Sequence, residues 1–246
     1  MKKALERIVY LLDHALNCAL ILFALIVLCV SGYSLLDNAQ IYHYASDTSL
    51  QQFKPVVRDE ERSDSSFVFL DHQSAWLCID NTYVDYPVMQ AENNFEYLNK
   101  DPYGEYRISG SIFLDWRNAP DFSDEFSMIY GHHMDHYNMF GSLDLFTSEA
   151  YFLTHTAGWL ATRNGIYDLE LFAVVWGDAK DYTVFNPQGR MAADVLSYIE
   201  DKAEIYTAYK PGAKIIALST CAGENETSRL LVFAMILDRD EEKGAL

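Results

Sequence analysis

The chain has 246 residues, half of them hydrophobic and 14% aromatic, which allows a sizeable core and excludes wholesale disorder. Its 18 Lys+Arg against 36 Asp+Glu give a formal net charge of −18, which argues against gripping nucleic-acid phosphates, since that needs clustered basic side chains. Four cysteines are too few for a disulfide framework.

Residues 1–14 carry Lys2, Lys3 and Arg7 against Glu6 and Asp13. An apolar run of 22 residues follows, Ala15 to Leu36, broken only by Asn17, Ser31, Gly32 and Ser34. At about 1.5 Å per residue it is long enough to cross a hydrocarbon core of roughly 30 Å. The basic flank predicts a transmembrane signal anchor over 15–36, with residues 1–14 in the cytoplasm and the rest of the chain outside the cell. A cleaved signal peptide is disfavoured because no clear small-x-small site follows the run, and a buried soluble helix because the segment has no polar face. Cys18 and Cys29 lie inside the span and read as small apolar residues. Residues 37–66 are polar and charged and read as a stalk or linker, part of it helical.

From residue 67 the pattern predicts a single domain running to 240, with a tail at 241–246. Ala75–Asp80 and Tyr83–Gln90 read as strands joined at Asn81-Thr82, a turn-prone pair. Ser111–Asp115 and Phe126–Tyr130 are further short apolar runs. Asn138–Thr154 mixes aromatic and acidic residues at near-helical spacing. Tyr167–Trp176 starts with strand alternation and ends as a continuous apolar run. Phe185–Gln188 reads as the end of a strand. Arg190–Tyr206 is the clearest helix outside the anchor, with Met191, Val195, Ile199 and Tyr206 at helical spacing. Lys214–Thr220 and Arg229–Leu237 are the strongest strand candidates. About eight short strands with a few helices predict a mostly-β, closed or half-open barrel, with one helix in the connection before the last two strands.

Three residues stand out as chemistry. Cys221 ends an apolar strand in Leu218-Ser219-Thr220-Cys221-Ala222-Gly223, at the rim where side chains meet substrate; the alternative is an inert buried thiol. Arg229 opens the next apolar run after seven intervening residues. If the two runs form an antiparallel hairpin, Cys221 and Arg229 face each other at its mouth. A guanidinium there favours a thiolate or holds an oxyanion; the alternative is a strand-edge arginine paired with Glu224 or Glu226. The third lies in Tyr130-Gly131-His132-His133-Met134-Asp135-His136, where a glycine after a strand allows a sharp turn and displays His132 as an acid/base group. His132 and His136 have the i,i+4 spacing of a zinc pair, but no Glu stands in the H-E-x-x-H manner, so no metal is predicted. A structural histidine is the other alternative. Cys78 sits within a strand and reads as core.

A membrane anchor, then a β-rich domain with Tyr-Gly-His early, Leu-Ser-Thr-Cys late and an Arg opening the last strand, resembles the sortases. Trp76–Gln90, Gly110–Arg117 and Ile129–Met134, with a long helix before the Cys strand, resemble class B. The resemblance implies a cysteine transpeptidase on the outer face of a Gram-positive cell, in which Cys221 is the nucleophile, His132 the general acid/base and Arg229 the positioning and oxyanion residue. Ser219, Thr220 and Ala222 are the candidates for substrate contact and oxyanion help, the last through backbone N–H groups. It implies no cofactor. The implied partners are secreted proteins with C-terminal sorting signals, cleaved after Thr, and an amine acceptor from a cell-wall precursor or a pilin Lys. The competing readings are another envelope cysteine enzyme, such as an L,D-transpeptidase or papain-like peptidase, and a non-catalytic binding domain. Thr220 stands where an L,D-transpeptidase has Gly, and the His precedes the Cys, opposite to the papain order.

Overall fold

The computed structural model describes residues 2–45, 48–55, 68–221 and 227–239. Two compact units emerge, residues 1–43 and residues 44–246. The first is the greater part of one helix, α1 (Lys2–Ala45). Its segment Glu6–Gln40 has a mean hydropathy of 2.5 over its most apolar stretch, long and apolar enough to cross a membrane. The helix thus continues past the predicted 15–36 span at both ends. Leu, Ile, Ala and Val dominate this stretch, and Gly32 is its one conformationally loose residue, so nothing in the sequence stops the helix early.

The second unit is a closed β-barrel. Its strands are β1 (Gln73–Ile79), β2 (Asp85–Met89), β3 (Ile112–Leu114), β4 (Phe126–Gly131), β5 (Ala157–Thr162), β6 (Gly165–Asp178), β7 (Ala203–Tyr206), β8 (Lys214–Cys221) and β9 (Ser228–Asp238). They run in the order β5-β1-β2-β3-β4-β8-β9-β6-β7, and a further β5–β6 pairing closes the first eight into a ring. β7 continues along the edge of β6 beyond β5 and stays outside the ring. Pairing is antiparallel except between β2 and β3 and between β4 and β8. Closure leaves no unpaired edge within the ring for another chain to template on.

Two apolar layers explain the strand patterns. Even-numbered residues of β8 and β9, such as Ile216, Leu218, Leu230 and Val232, fill the barrel interior with Leu77, Ile129, Phe140 and Phe146. Odd-numbered ones, such as Ile215, Ala217, Leu231 and Phe233, face outward and are covered by helix α4 (Ala192–Lys202) through Val195, Tyr198 and Ile199. Strands buried on both faces read as continuous apolar runs. β6 shows both regimes: its first half alternates, and Phe172–Val175 is buried on both sides because the outer layer begins there.

Several expectations are corrected. The helix expected over Arg190–Tyr206 ends at Lys202; Ala203–Tyr206 is strand β7, because Ile205 turns into the barrel core and the segment pairs with Ala173–Val175. Phe185 ends a short helix, α3 (Tyr182–Phe185), rather than a strand, capped by the Asp181 side chain, which accepts from the Thr183 N–H. Strand β5 was not anticipated. The segment expected to be helix-like after Asn138 forms a 3-10 stretch, Phe140–Thr147, followed by helix α2 (Glu149–Phe152). Residues 48–55, read as stalk, join the barrel: Lys54 Nζ lies 2.6 Å from Asp85 Oδ2 and over the Trp159 ring. The remainder of the expected stalk, 56–66, lies outside the described residues, as does the tail at 241–246.

Candidate active site

The outer face of β4, β8 and β9 brings the three chemical residues to one level. The β8–β9 hairpin forms as expected, with Cys221 paired directly to Arg229. Opposed residues of an antiparallel pair share a face, so positions 221 and 229 lie on the outer face, in line with Ser219 and Leu231. On the other side of β8, Gly131 pairs with Thr220, which puts His132, the next residue, level with Cys221. Gly177 of β6 pairs with Arg229 and completes the row.

Gly131 does not supply a turn. It is the last residue of β4, and a Cβ there would lie 2.5 Å from Ile112 Cδ1 and 2.7 Å from the Phe140 ring. The glycine lets Phe140 close the barrel end directly beneath the histidine. His132 then projects outward, half-buried, with Nε2 2.6 Å from the Leu98 carbonyl oxygen. A carbonyl only accepts, so Nε2 carries a hydrogen and Nδ1 is the ring nitrogen left to gain or lose a proton. Leu98 ends the 3-10 turn Glu96–Leu98.

The neighbouring histidine does something else. His133 Nε2 sits 2.7 Å from Asp144 Oδ2, pairing it with the 3-10 stretch after the turn. His136 has a left-handed backbone, φ 58°. Among the described residues no group of three or more His, Cys, Asp or Glu is arranged to hold a metal ion.

Arg229 is half-buried, and its Nη1 donates to the Ser228 carbonyl at 2.8 Å. Ser219 is buried on the outer face, and its Oγ has no hydrogen-bond partner among the described residues. Thr220 alternates to the barrel interior, opposite Leu230, on the other face from positions 221 and 229. Ala222 lies outside the described residues. Cys78 is buried, and burial, followed by the Asp85 carboxylate, pushes its thiol up to about 12.

A polar cluster beside the site was missed in the sequence. Asp115, fully buried at the end of β3, accepts both arms of the Arg117 fork at 2.8 and 2.7 Å, the Asn94 amide at 2.8 Å and the Tyr130 hydroxyl at 3.0 Å. Burial would raise the Asp115 carboxyl, but these donors outweigh it and hold the group below the usual carboxylate range. Burial and the adjacent carboxylate together drive the Tyr130 hydroxyl far above its ordinary value, so it stays a donor. The available signal was Asp-Trp-Arg closing the apolar run Ser111–Leu114, a charged pair where a strand enters the core.

The sortase-domain family model matches residues 77–237. This chain belongs to the sortase family. Sortase B of Listeria monocytogenes is 31% identical over 200 residues, covering 78% of this chain and 79% of that protein. A class B sortase of Streptococcus pyogenes involved in pilus biogenesis matches in structure with a TM-score of 0.62 and 36% identity, over 68% of this sortase and 92% of that chain. Sortase B from the type II pilus of Streptococcus pneumoniae matches with a TM-score of 0.58 and 31% identity, over 69% and 94%. The present sortase is of class B, a cysteine transpeptidase built on an eight-stranded closed barrel with few helices.

Proposed function

We propose that this sortase cuts a C-terminal sorting signal after Thr and passes the upstream protein to an amine. Cys221 attacks the Thr carbonyl; the C–S bond forms, the C–N bond breaks, and His132 protonates the leaving amine. The acceptor amine then attacks the thioester, His132 takes its proton, and the thiolate leaves. The Arg229 guanidinium holds the carbonyl oxygen as charge develops on it, with backbone N–H groups around Cys221 as further donors. The chemistry calls for no cofactor. The single observation that supports this reading is the register that sets His132, Cys221 and Arg229 level on adjacent strands.

Residues 15–36 serve as the anchor, with residues 1–14 in the cytoplasm and the barrel outside, where exported substrates and acceptors are also held. The acceptor is a cell-wall precursor peptide or a pilin lysine, and likeness to two pilus-associated class B sortases favours the pilin. In the test, full-length enzyme is incubated with a library of fluorogenic peptides sharing one fixed Thr, and release of the C-terminal piece is followed. Cys221→Ala should abolish release; full activity in that variant would end the proposal. A Cys221 thiol that alkylates no faster than free cysteine, with no acyl-enzyme seen by mass spectrometry, would favour a binding role instead.

A further inference from the structure

Two segments that flank the candidate site hang from one buried carboxylate. On one side, Asn94 bonds Asp115 and leads directly into the turn whose Leu98 carbonyl holds His132. Tyr130, bonded to the same Asp115 oxygen, precedes His132 by two positions on the same face of β4. On the other side, the connection after β6 starts next to Arg229, where Asp178 pairs with Ser228 and the Ala179 N–H bonds the Thr227 carbonyl. It then joins the outer layer, with Val184 buried in the same apolar cluster as Met128, Ala217 and Leu231. It is caught at its far end by Arg117, which donates to the Phe185 carbonyl and to Asn186 Oδ1, both at 2.8 Å. Arg117 is itself aligned by its two bonds to Asp115.

We propose that Asp115 and Arg117 are positioning residues that set the width of the peptide groove, by tying segment 94–98 and segment 182–186 to a single point. This rests on the reading that Cys221, His132 and Arg229 act on an extended peptide. The fork matters more than the charge. An ammonium can pair with Asp115 but cannot reach the Phe185 and Asn186 oxygens at the same time. The segment's far end would then be held only by apolar contacts, while its start keeps the Arg190 bond to the Tyr182 carbonyl and the Lys202–Asp181 pair, and a peptide lying against it would lose alignment before the reacting atoms were disturbed.

The test uses the full chain with Arg117→Lys, Asn186→Ala and Asn186→Asp. Two readouts are taken: amide hydrogen exchange, and steady-state cleavage of the fluorogenic fixed-Thr peptide that the wild type cuts fastest. Arg117→Lys and Asn186→Ala should speed exchange over 182–190 while leaving β6, β8 and β9 protected. They should raise KM about tenfold, the scale of one lost charge-assisted hydrogen bond, with kcat little changed. Asn186→Asp keeps the acceptor and should restore both readouts. Unchanged exchange or unchanged KM beside an active wild type overturns this inference alone. So does a loss of kcat in step with melting temperature that Asn186→Asp does not rescue. A wild type that cuts no peptide overturns the peptide-cleaving reading and the groove-width role with it.

Discussion

Gly110 offers a direct way to disturb His132 without touching it. The residue precedes β3 with φ +59°, and a Cβ built there would lie 2.6 Å from both the Tyr97 and the Leu98 carbonyl oxygens. These are backbone atoms and cannot swing aside. The Tyr97 oxygen accepts from the Ser111 N–H at 2.9 Å, and the Leu98 oxygen holds His132 Nε2. Gly110→Ala therefore adds a left-handed penalty of about 1 kcal/mol and overpacking of about 2 kcal/mol, together about 3 kcal/mol, or a fall of roughly 6–12 °C in melting temperature. Displacing the Leu98 carbonyl also turns the imidazole, and misorientation of a reacting group costs on the order of 10²-fold in rate. Gly104→Ala separates the two causes. Its φ is +86°, but nothing lies within 4 Å of the added Cβ, so it should lose only about 1 kcal/mol and retain full activity. Thermal unfolding followed by circular dichroism, alongside peptide cleavage, measures both variants. A Gly110→Ala enzyme that melts and cleaves like Gly104→Ala would refute the reasoning.

Arg229→Lys should lower kcat by about 10²-fold, because a point ammonium does not reproduce a planar fork at a developing oxyanion; a change within about twofold would remove Arg229 from the chemistry. Cys78, whose thiol is pushed up to about 12 by burial and by Asp85, should stay unmodified by iodoacetamide at mildly alkaline pH while Cys221 is labelled, as peptide mass mapping will show. The Asp115 carboxyl is held below its ordinary value by its donors, chiefly Arg117. Its contribution to stability is thus present above the unfolded carboxylate range of about 3.9 and is lost as pH falls through the lower folded value. Asp115→Asn should lower stability near neutrality and flatten this acid-side decline in urea titrations. A decline of unchanged steepness would mean that other carboxylates cause it.

The parts of this protein legible in its sequence are those where one physical demand governs a segment. β8 and β9 are apolar on both faces because one face fills the barrel and the other lies under α4, and these apolar runs make Cys221 and Arg229 conspicuous beside the strand ends. β7 was hidden because Tyr206 continues the apolar spacing of α4 while its backbone has already turned to pair with β6. β5 was hidden for a different reason. Ala157–Thr162 has little apolar bulk, and its surest mark was the Asn164-Gly165 pair after it, a strong hairpin signal. At Gly131 space rather than backbone freedom is at stake, which only the position of Phe140 reveals. The Asp115 hub joins residues from four separate stretches, and no local pattern announces a meeting of that kind.

The β8–β9 hairpin comes last among the barrel's strands in the chain, yet its place is in the middle of the ring, between β4 and β6. Without it, those two strands show bare edges. A polypeptide cut short before residue 214 would leave both of those edges unpaired, and bare edges invite pairing with another chain.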